Sequence, residues 1–219
     1  MLAVKLPSTT DDWPKLLSEG LVGLGESASP ATMEAFECYA SLLRKWSSAY
    51  NLTKITEPFE VVRQHFLDSA SVLPHLHGPN ILDVGTGAGF PGLVVASLRP
   101  EWQVTVIDSV AKKTRFCTQV AHNLGLANVR VLNGRVESID LDQAFQSIVS
   151  RAFASLERFA ELTSRHLAPG GCLVAMKGKL SNAELDAVEA MSPTAVPLHV
   201  PGLGMTRHAV LMQPVVSER

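Results

Sequence analysis

The stretch Ile81-Leu-Asp-Val-Gly-Thr-Gly-Ala-Gly-Phe-Pro-Gly92 sets four glycines, Gly85, Gly87, Gly89 and Gly92, between a short apolar run and the helical pattern that starts at Leu93. A backbone that turns sharply and comes close to a ligand cannot carry Cβ atoms, so the loop reads as a cradle for a nucleotide-like ligand. Gly87-Ala-Gly89-Phe-Pro-Gly92 also satisfies the dinucleotide fingerprint G-x-G-x-x-G, so the loop alone leaves the ligand open. In an open α/β sheet the ligand sits beyond the carboxyl ends of the strands, and those ends carry the other candidates.

Asp83 lies two residues before Gly85. A nicotinamide fingerprint seldom needs a carboxylate there, whereas loops of the form acidic-x-Gly-x-Gly-x-Gly in S-adenosylmethionine-dependent methyltransferases resemble this segment. Asp83 either caps the loop amides or touches the methionine part of such a cofactor. Asp108 ends the second strand, nineteen residues beyond Gly89. A carboxylate there accepts both ribose hydroxyls in either enzyme class, or else caps the following helix. Lys112, Lys113 and Arg115 follow in the first turns of a helix, as a solvated face or a phosphate-binding patch. Asn133-Gly-Arg-Val-Glu137 ends the third strand; Val136 and Glu137 are candidates for an adenine edge, and Glu137 on its own is equally a surface residue.

Strand four ends in Ser150-Arg-Ala-Phe-Ala-Ser155. Methyltransferases of exocyclic amines usually carry Asn-Pro-Pro-Tyr or Asp-Pro-Pro-Tyr here, and those that make 5-methylcytosine need a cysteine; neither occurs. A reaction that needs no base and no covalent adduct fits N7 of guanine, which already has an in-plane lone pair and requires only positioning. Arg151 is the catalytic candidate. It fixes the cofactor carboxylate, holds guanine O6, or pairs with Asp83 or Glu137. Lys177 and Lys179 after strand five, and Arg207-His208 near the C-terminus, are candidate RNA-phosphate contacts. His65 and Asp68, at i and i+3, are expected to share a helix-surface hydrogen bond. No metal site is expected.

The elements that must position these residues fall into two blocks. Residues 1–78 read as a helical lobe: a helix capped by Thr10 or Asp11, one capped by Ser29-Pro30 and ending near Lys45-Trp46, and one from Thr56 through Leu73, stopped by Pro74. Residues 79–219 alternate strand and helix, with strands at 81–85, 103–108, 129–133, 147–151 and 172–177 and a terminal pair at 196–200 and 207–213. The fold class is α/β, a Rossmann-like, mostly parallel sheet of seven strands with an N-terminal helical extension. The 219 residues, 46% of them apolar, suffice for one such core. A formal charge of −2 gives no whole-molecule attraction to nucleic acid, so RNA contact must come from local patches. Three scattered cysteines read as reduced thiols, and no apolar run reaches membrane-spanning length. A monomeric cytoplasmic protein is expected. The rival classes are a nicotinamide oxidoreductase and a non-catalytic RNA-binding assembly factor. Tyr50-Asn-Leu-Thr-Lys54 mimics a dehydrogenase Tyr-x-x-x-Lys pair but precedes the glycine loop, where that pair should follow it.

Lys45-Trp46, Tyr50-Asn-Leu-Thr53, His65-Phe-Leu-Asp-Ser69, the loop from Asp83 to Gly92, Asp108-Ser109 with Lys112, Ser150 to Ser155, Lys177-Gly178 and Arg207-His208 together resemble the RsmG (GidB) family. These are bacterial 16S rRNA (guanine-N7) methyltransferases. The resemblance runs from about Glu34 to about Met212, with Ser47 where the family commonly has Asn. It implies the class I methyltransferase fold and S-adenosylmethionine held by Gly85, Phe90, Asp108, Val136, Glu137 and Arg151, with Asp83 and Gly87 in the same loop. It also implies RNA contacts at Lys177 and Arg207, with Lys112 a further candidate. The implied substrate is one guanosine in the decoding-region hairpin of 16S rRNA in the small ribosomal subunit.

Overall fold

The computed structural model describes residues 12–151, 153 and 155–213. Helix α1 (Trp13–Gly23) carries Leu16, Leu17 and Leu21 on its buried side. Its expected caps Thr10 and Asp11 lie outside the described residues. Helix α2 (Pro30–Tyr50) starts as its sequence dictates: the Ser29 side chain accepts from the Thr32 amide at 3.1 Å, and proline opens the first turn. It buries Phe36, Tyr39, Leu43 and Ser47 on one stripe. The helix does not end near Trp46 but continues to Tyr50, because Asn51 supplies the left-handed residue (φ 51°) that closes it onto the Ser47 carbonyl.

The third helix is composite. An α-helical turn, α3 (Pro58–Val61), leads into a π-helical segment, Val62–Leu67, and then α4 (Asp68–Ala70). The π segment breaks the 3.6-residue phase and the helix is enclosed almost all round, so His65 and Asp68 are buried along with Val62, Phe66 and Leu67. A Cβ on Gly20 of α1 would collide with the Leu67 side chain, which shows how closely α1 lies on this segment.

The strands are β1 (Asn80–Val84), β2 (Gln103–Asp108), β3 (Val129–Asn133), β4 (Phe145–Arg151), β5 (Leu167–Lys177), β6 (Thr194–Pro197) and β7 (His208–Met212). They form one sheet in the order β3-β2-β1-β4-β5-β7-β6, parallel from β3 to β5, with β7 antiparallel to both of its neighbours. Helices α5 (Gly92–Leu98), α6 (Ala111–Asn123), α7 (Leu156–Thr163) and α8 (Asn182–Asp186) complete the chain order. Both faces are covered, and side chains alternate between them: Ile81, Val149, Cys172 and Val174 join the cluster under α1–α6, while Leu82, Ile148, Leu173 and Ala175 join the cluster under α7 and α8. The N-terminal helices share their apolar cluster with the sheet. Strand order reverses between β1 and β4, so the crevice lies at the carboxyl ends of those two strands.

Candidate active site

The loop after β1 is held from below. Asp83, fully buried, accepts from the Thr86 hydroxyl at 2.6 Å and from the Gly92 amide at 2.7 Å through Oδ2, while Oδ1 has no partner. Burial pushes the Asp83 pKa up to about 6, against the pull of these two hydrogen bonds. Gly85 and Gly89 have φ of 71° and 89°, in the region that favours glycine. A Cβ on Gly89 would strike the Tyr39 hydroxyl, which itself donates to the Ala88 carbonyl at 2.6 Å. The helical lobe therefore clamps the loop directly.

A cleft of about 430 Å³ opens beside Gly85, walled by Ile107, Asp108, Val136, Glu137 and Phe153. Asp108 accepts from the amides of Gly87 at 3.0 Å and Val110 at 2.9 Å and pairs with Lys113 at 3.3 Å. Arg165 holds the Val136 carbonyl at 3.0 Å and so fixes the segment that carries Val136 and Glu137. Glu137 lies 3.6 Å from Arg135. Thus Gly85, Asp108, Val136 and Glu137 come together. Phe90 and Asp83 do not line this cleft. The Phe90 ring is buried and stacks between Tyr39 at 5.2 Å and His65 at 4.4 Å.

A second pocket, of about 410 Å³, adjoins the first and shares Phe153 with it. It gathers His65, Asp68, Arg151, Lys177, Lys179 and Arg207. Arg151 sits 5.1 Å from the Phe90 ring centroid. Its ion-pair partner is neither Asp83 nor Glu137 but Asp68, which β4 faces across the lobe boundary, at 3.1 Å. The other Asp68 oxygen takes Arg207 Nε at 3.0 Å. One carboxylate, 2% exposed, thereby joins the end of β4 to the segment before β7. Arg151 also donates to the Gln64 carbonyl at 2.8 Å and approaches His65 Nδ1 at 3.2 Å. His65 Nδ1 also lies 3.1 Å from the Gln64 carbonyl, and Nε2 lies 3.2 Å from the Thr53 hydroxyl. Burial first, and Arg151 second, lower the His65 pKa to about 3, so this imidazole is neutral. The helix-surface hydrogen bond expected of His65 and Asp68 is thus corrected: both are buried and meet through Arg151. Lys177 pairs with Glu184 at 2.5 Å. Lys112 lies apart from this pocket, its Nζ 2.8 Å from the Tyr50 carbonyl.

The family model for GidB, the rRNA small subunit methyltransferase G, matches residues 32–210. The chain belongs to this family. Among relatives named Ribosomal RNA small subunit methyltransferase G, the protein of Nitrosomonas europaea is 45% identical over 181 residues, covering 80% of this chain and 84% of the relative. That of Burkholderia ambifaria is 40% identical over 228 residues and covers 100% of this chain and 99% of the relative. A solved SAM dependent methyltransferase from Aquifex aeolicus superposes with a TM-score of 0.57 at 20% identity, over 74% of this chain and 96% of that one, and shares the fold. The sequence singles out His65 and Asp68 but places them on a helix surface, and it gives Phe153 no role of its own in the second pocket. The signal available for the first two was a His and an Asp at i and i+3 beside the apolar positions Val62, Phe66 and Ala70; Phe153 offered none beyond its place after Arg151.

Proposed function

We propose that the protein transfers a methyl group from S-adenosylmethionine to N7 of a guanosine in the decoding-region hairpin of 16S rRNA, presented by the small ribosomal subunit. The observation that carries this is that, among the described residues, the second pocket offers no free carboxylate or thiol, and its one imidazole, His65, is engaged by Arg151 and Thr53 and is a weak base with its pKa lowered to about 3. Among the described residues its lining offers three positive side chains besides Arg151, a neutral imidazole, and one carboxylate, Asp68, with both oxygens committed to arginines. Acceptors that must lose a proton, or be attacked by a thiolate, find no partner there, since the three free cysteines do not line it. Guanine N7 needs neither.

The residues present fit the cofactor. A Cβ on Gly85 would meet only Phe153 Cδ2, at 3.8 Å, so space beside the loop is free for a ligand. Asp108 stands at the cleft where ribose hydroxyls would be accepted, and Ile107, Val136 and Phe153 give apolar walls for a base. When bound, S-adenosylmethionine supplies a methyl on a positively charged sulfur. The protein's part is alignment: Phe153 stands between the two pockets, and Arg151, held by Gln64, His65 and Asp68, keeps N–H donors for the substrate-side groups, such as guanine O6. Lys177, Lys179 and Arg207 supply charge for phosphate. Among the described residues no helix is long and apolar enough to cross a membrane. This reading places a monomeric enzyme in the cytoplasm, with residues 1–78 as the lobe that shapes the pocket and 79–219 as the transferase unit.

The test is transfer of labelled methyl to small subunits from cells that lack the modification, followed by mapping of the base. Label at guanine N7 is expected. Label on an exocyclic amine or on C5 of cytosine would overturn the reading, and so would saturable NADH binding without S-adenosylmethionine binding.

A further inference from the structure

The reaction described so far makes no use of a groove of about 720 Å³ at the end of α2. Its lining includes Arg44, Ser47, Ser48, Thr53, Lys54 and Thr56, and no carboxylate. Among the described residues, neither Arg44 nor Lys54 takes part in an ion pair. Ser47 is 4% exposed and its hydroxyl has no hydrogen-bond partner in the protein, a buried donor left over at the groove.

The groove lies beside the pocket that holds the arginines, across the turn from Asn51 to Thr56. Thr53 lines the groove, and its Oγ1 lies 3.2 Å from His65 Nε2, which belongs to the pocket. Ile55, between the groove residues Lys54 and Thr56, lines the pocket as well. The turn from Asn51 to Thr56 is therefore one wall with the two hollows on either side.

Helix C-termini carry partial negative charge, which disfavours an anion. Here that end is already offset: Lys112 Nζ sits 2.8 Å from the Tyr50 carbonyl, and the Asn51 amide caps Ser47. Guanidinium, ammonium and hydroxyl donors without a competing carboxylate are the set that binds phosphate oxygens, and they suit a metal cation poorly. We propose that this groove is an RNA backbone subsite, holding the phosphates of the strand that flanks the target base while the base itself lies in the adjoining pocket. The proposal rests on the RNA-methyltransferase reading above. It assigns the groove a positioning role that carries no base specificity.

The test compares wild type with the Arg44→Gln/Lys54→Gln double variant, two exposed positions whose change leaves the core intact. With unmodified small subunits as substrate, KM for the subunit is expected to rise about tenfold, and the slope of log KM against log salt to fall by about one to two. The kcat and the KM for S-adenosylmethionine stay as in wild type. An unchanged subunit KM and salt slope would overturn the subsite. Binding of a single-stranded RNA oligonucleotide is measured on the same two proteins, with the same weakening expected. If wild type transfers no methyl to subunits, the functional reading fails on its own, and the oligonucleotide decides the groove: equal affinities would remove it.

Discussion

The two adjoining pockets are built by opposite means. The cofactor-side cleft is made mainly of short segments at successive strand ends: the end of β1 with Gly85, the end of β2 and the segment after β3, with Asp108 bonding to amides two and twenty-one residues away. The substrate-side pocket is made of side chains that meet across long sequence separations, Arg151 with Asp68 and Arg207 with Asp68 across 83 and 139 residues. Backbone geometry is written in glycines and strand ends, whereas a charge network is written in residues that look ordinary until the chain closes. One fold hosts many functions, so under the proposed function substrate choice would fall to the second kind of pocket.

The largest effect is expected from asking whether the loop belongs to the first pocket or to the lobe that builds the second. In Gly89→Ala the methyl meets the Tyr39 hydroxyl and Leu93 Cγ, the latter at 2.8 Å, on a backbone with φ of 89°. Strain and overpacking together cost about 5 kcal/mol, enough to unfold much of the protein. Gly85→Ala carries only the backbone strain, because its Cβ meets nothing closer than 3.8 Å, yet it fills the cofactor-side cleft. Thermal unfolding should show a large loss for Gly89→Ala alone, and S-adenosylmethionine affinity should fall for Gly85→Ala in a folded protein. Equal stability of the two variants would deny that the lobe clamps the loop.

Asp68→Ala asks whether the second pocket is one network. Removing the carboxylate leaves Arg151 and Arg207, 21% and 20% exposed at their side chains, without their shared counter-ion, at a cost of about 4 kcal/mol to the pocket's organisation. Methyl transfer should fall by at least a hundredfold through kcat and subunit KM, with S-adenosylmethionine affinity nearly kept. Isothermal titration and steady-state kinetics separate the two, and a parallel loss of cofactor affinity would mean that the pockets are not independent. This network also marks the limit of what the sequence made legible. Glycine spacing and strand ends located β1 to β5 and the residues of the first cleft, because local chain geometry dictates them. Arg151 and Arg207 were identified as candidates, but their common partner, Asp68, was read as a surface residue. Helical periodicity assigned Asp68 to the outer face, and the π-helical segment that turns it inward has no signature in residue type.

The smallest effect is a difference in pH response between the two regions, and here the signs oppose. Asp83, beneath the loop, has a folded pKa of about 6 against its ordinary 3.8. The folded state therefore holds more protons than the unfolded state between about pH 4 and 6, and stability falls as pH rises through that window, by about 3 kcal/mol in full. His65, beside Arg151, has its pKa lowered from 6.5 to about 3. Here the unfolded state holds more protons, so stability is present above pH 6.5 and is lost as pH falls toward 3. Asp83→Asn keeps an oxygen to accept from Thr86 and Gly92 but cannot ionise, and His65→Gln cannot charge. As pH is lowered from 6.5 to 4.5, the wild-type protein should gain stability relative to Asp83→Asn and lose stability relative to His65→Gln, as read by urea unfolding of the protein without cofactor. Differences of the same sign would show that one of the two groups is solvated in solution, and that the lobe does not seal both pockets alike.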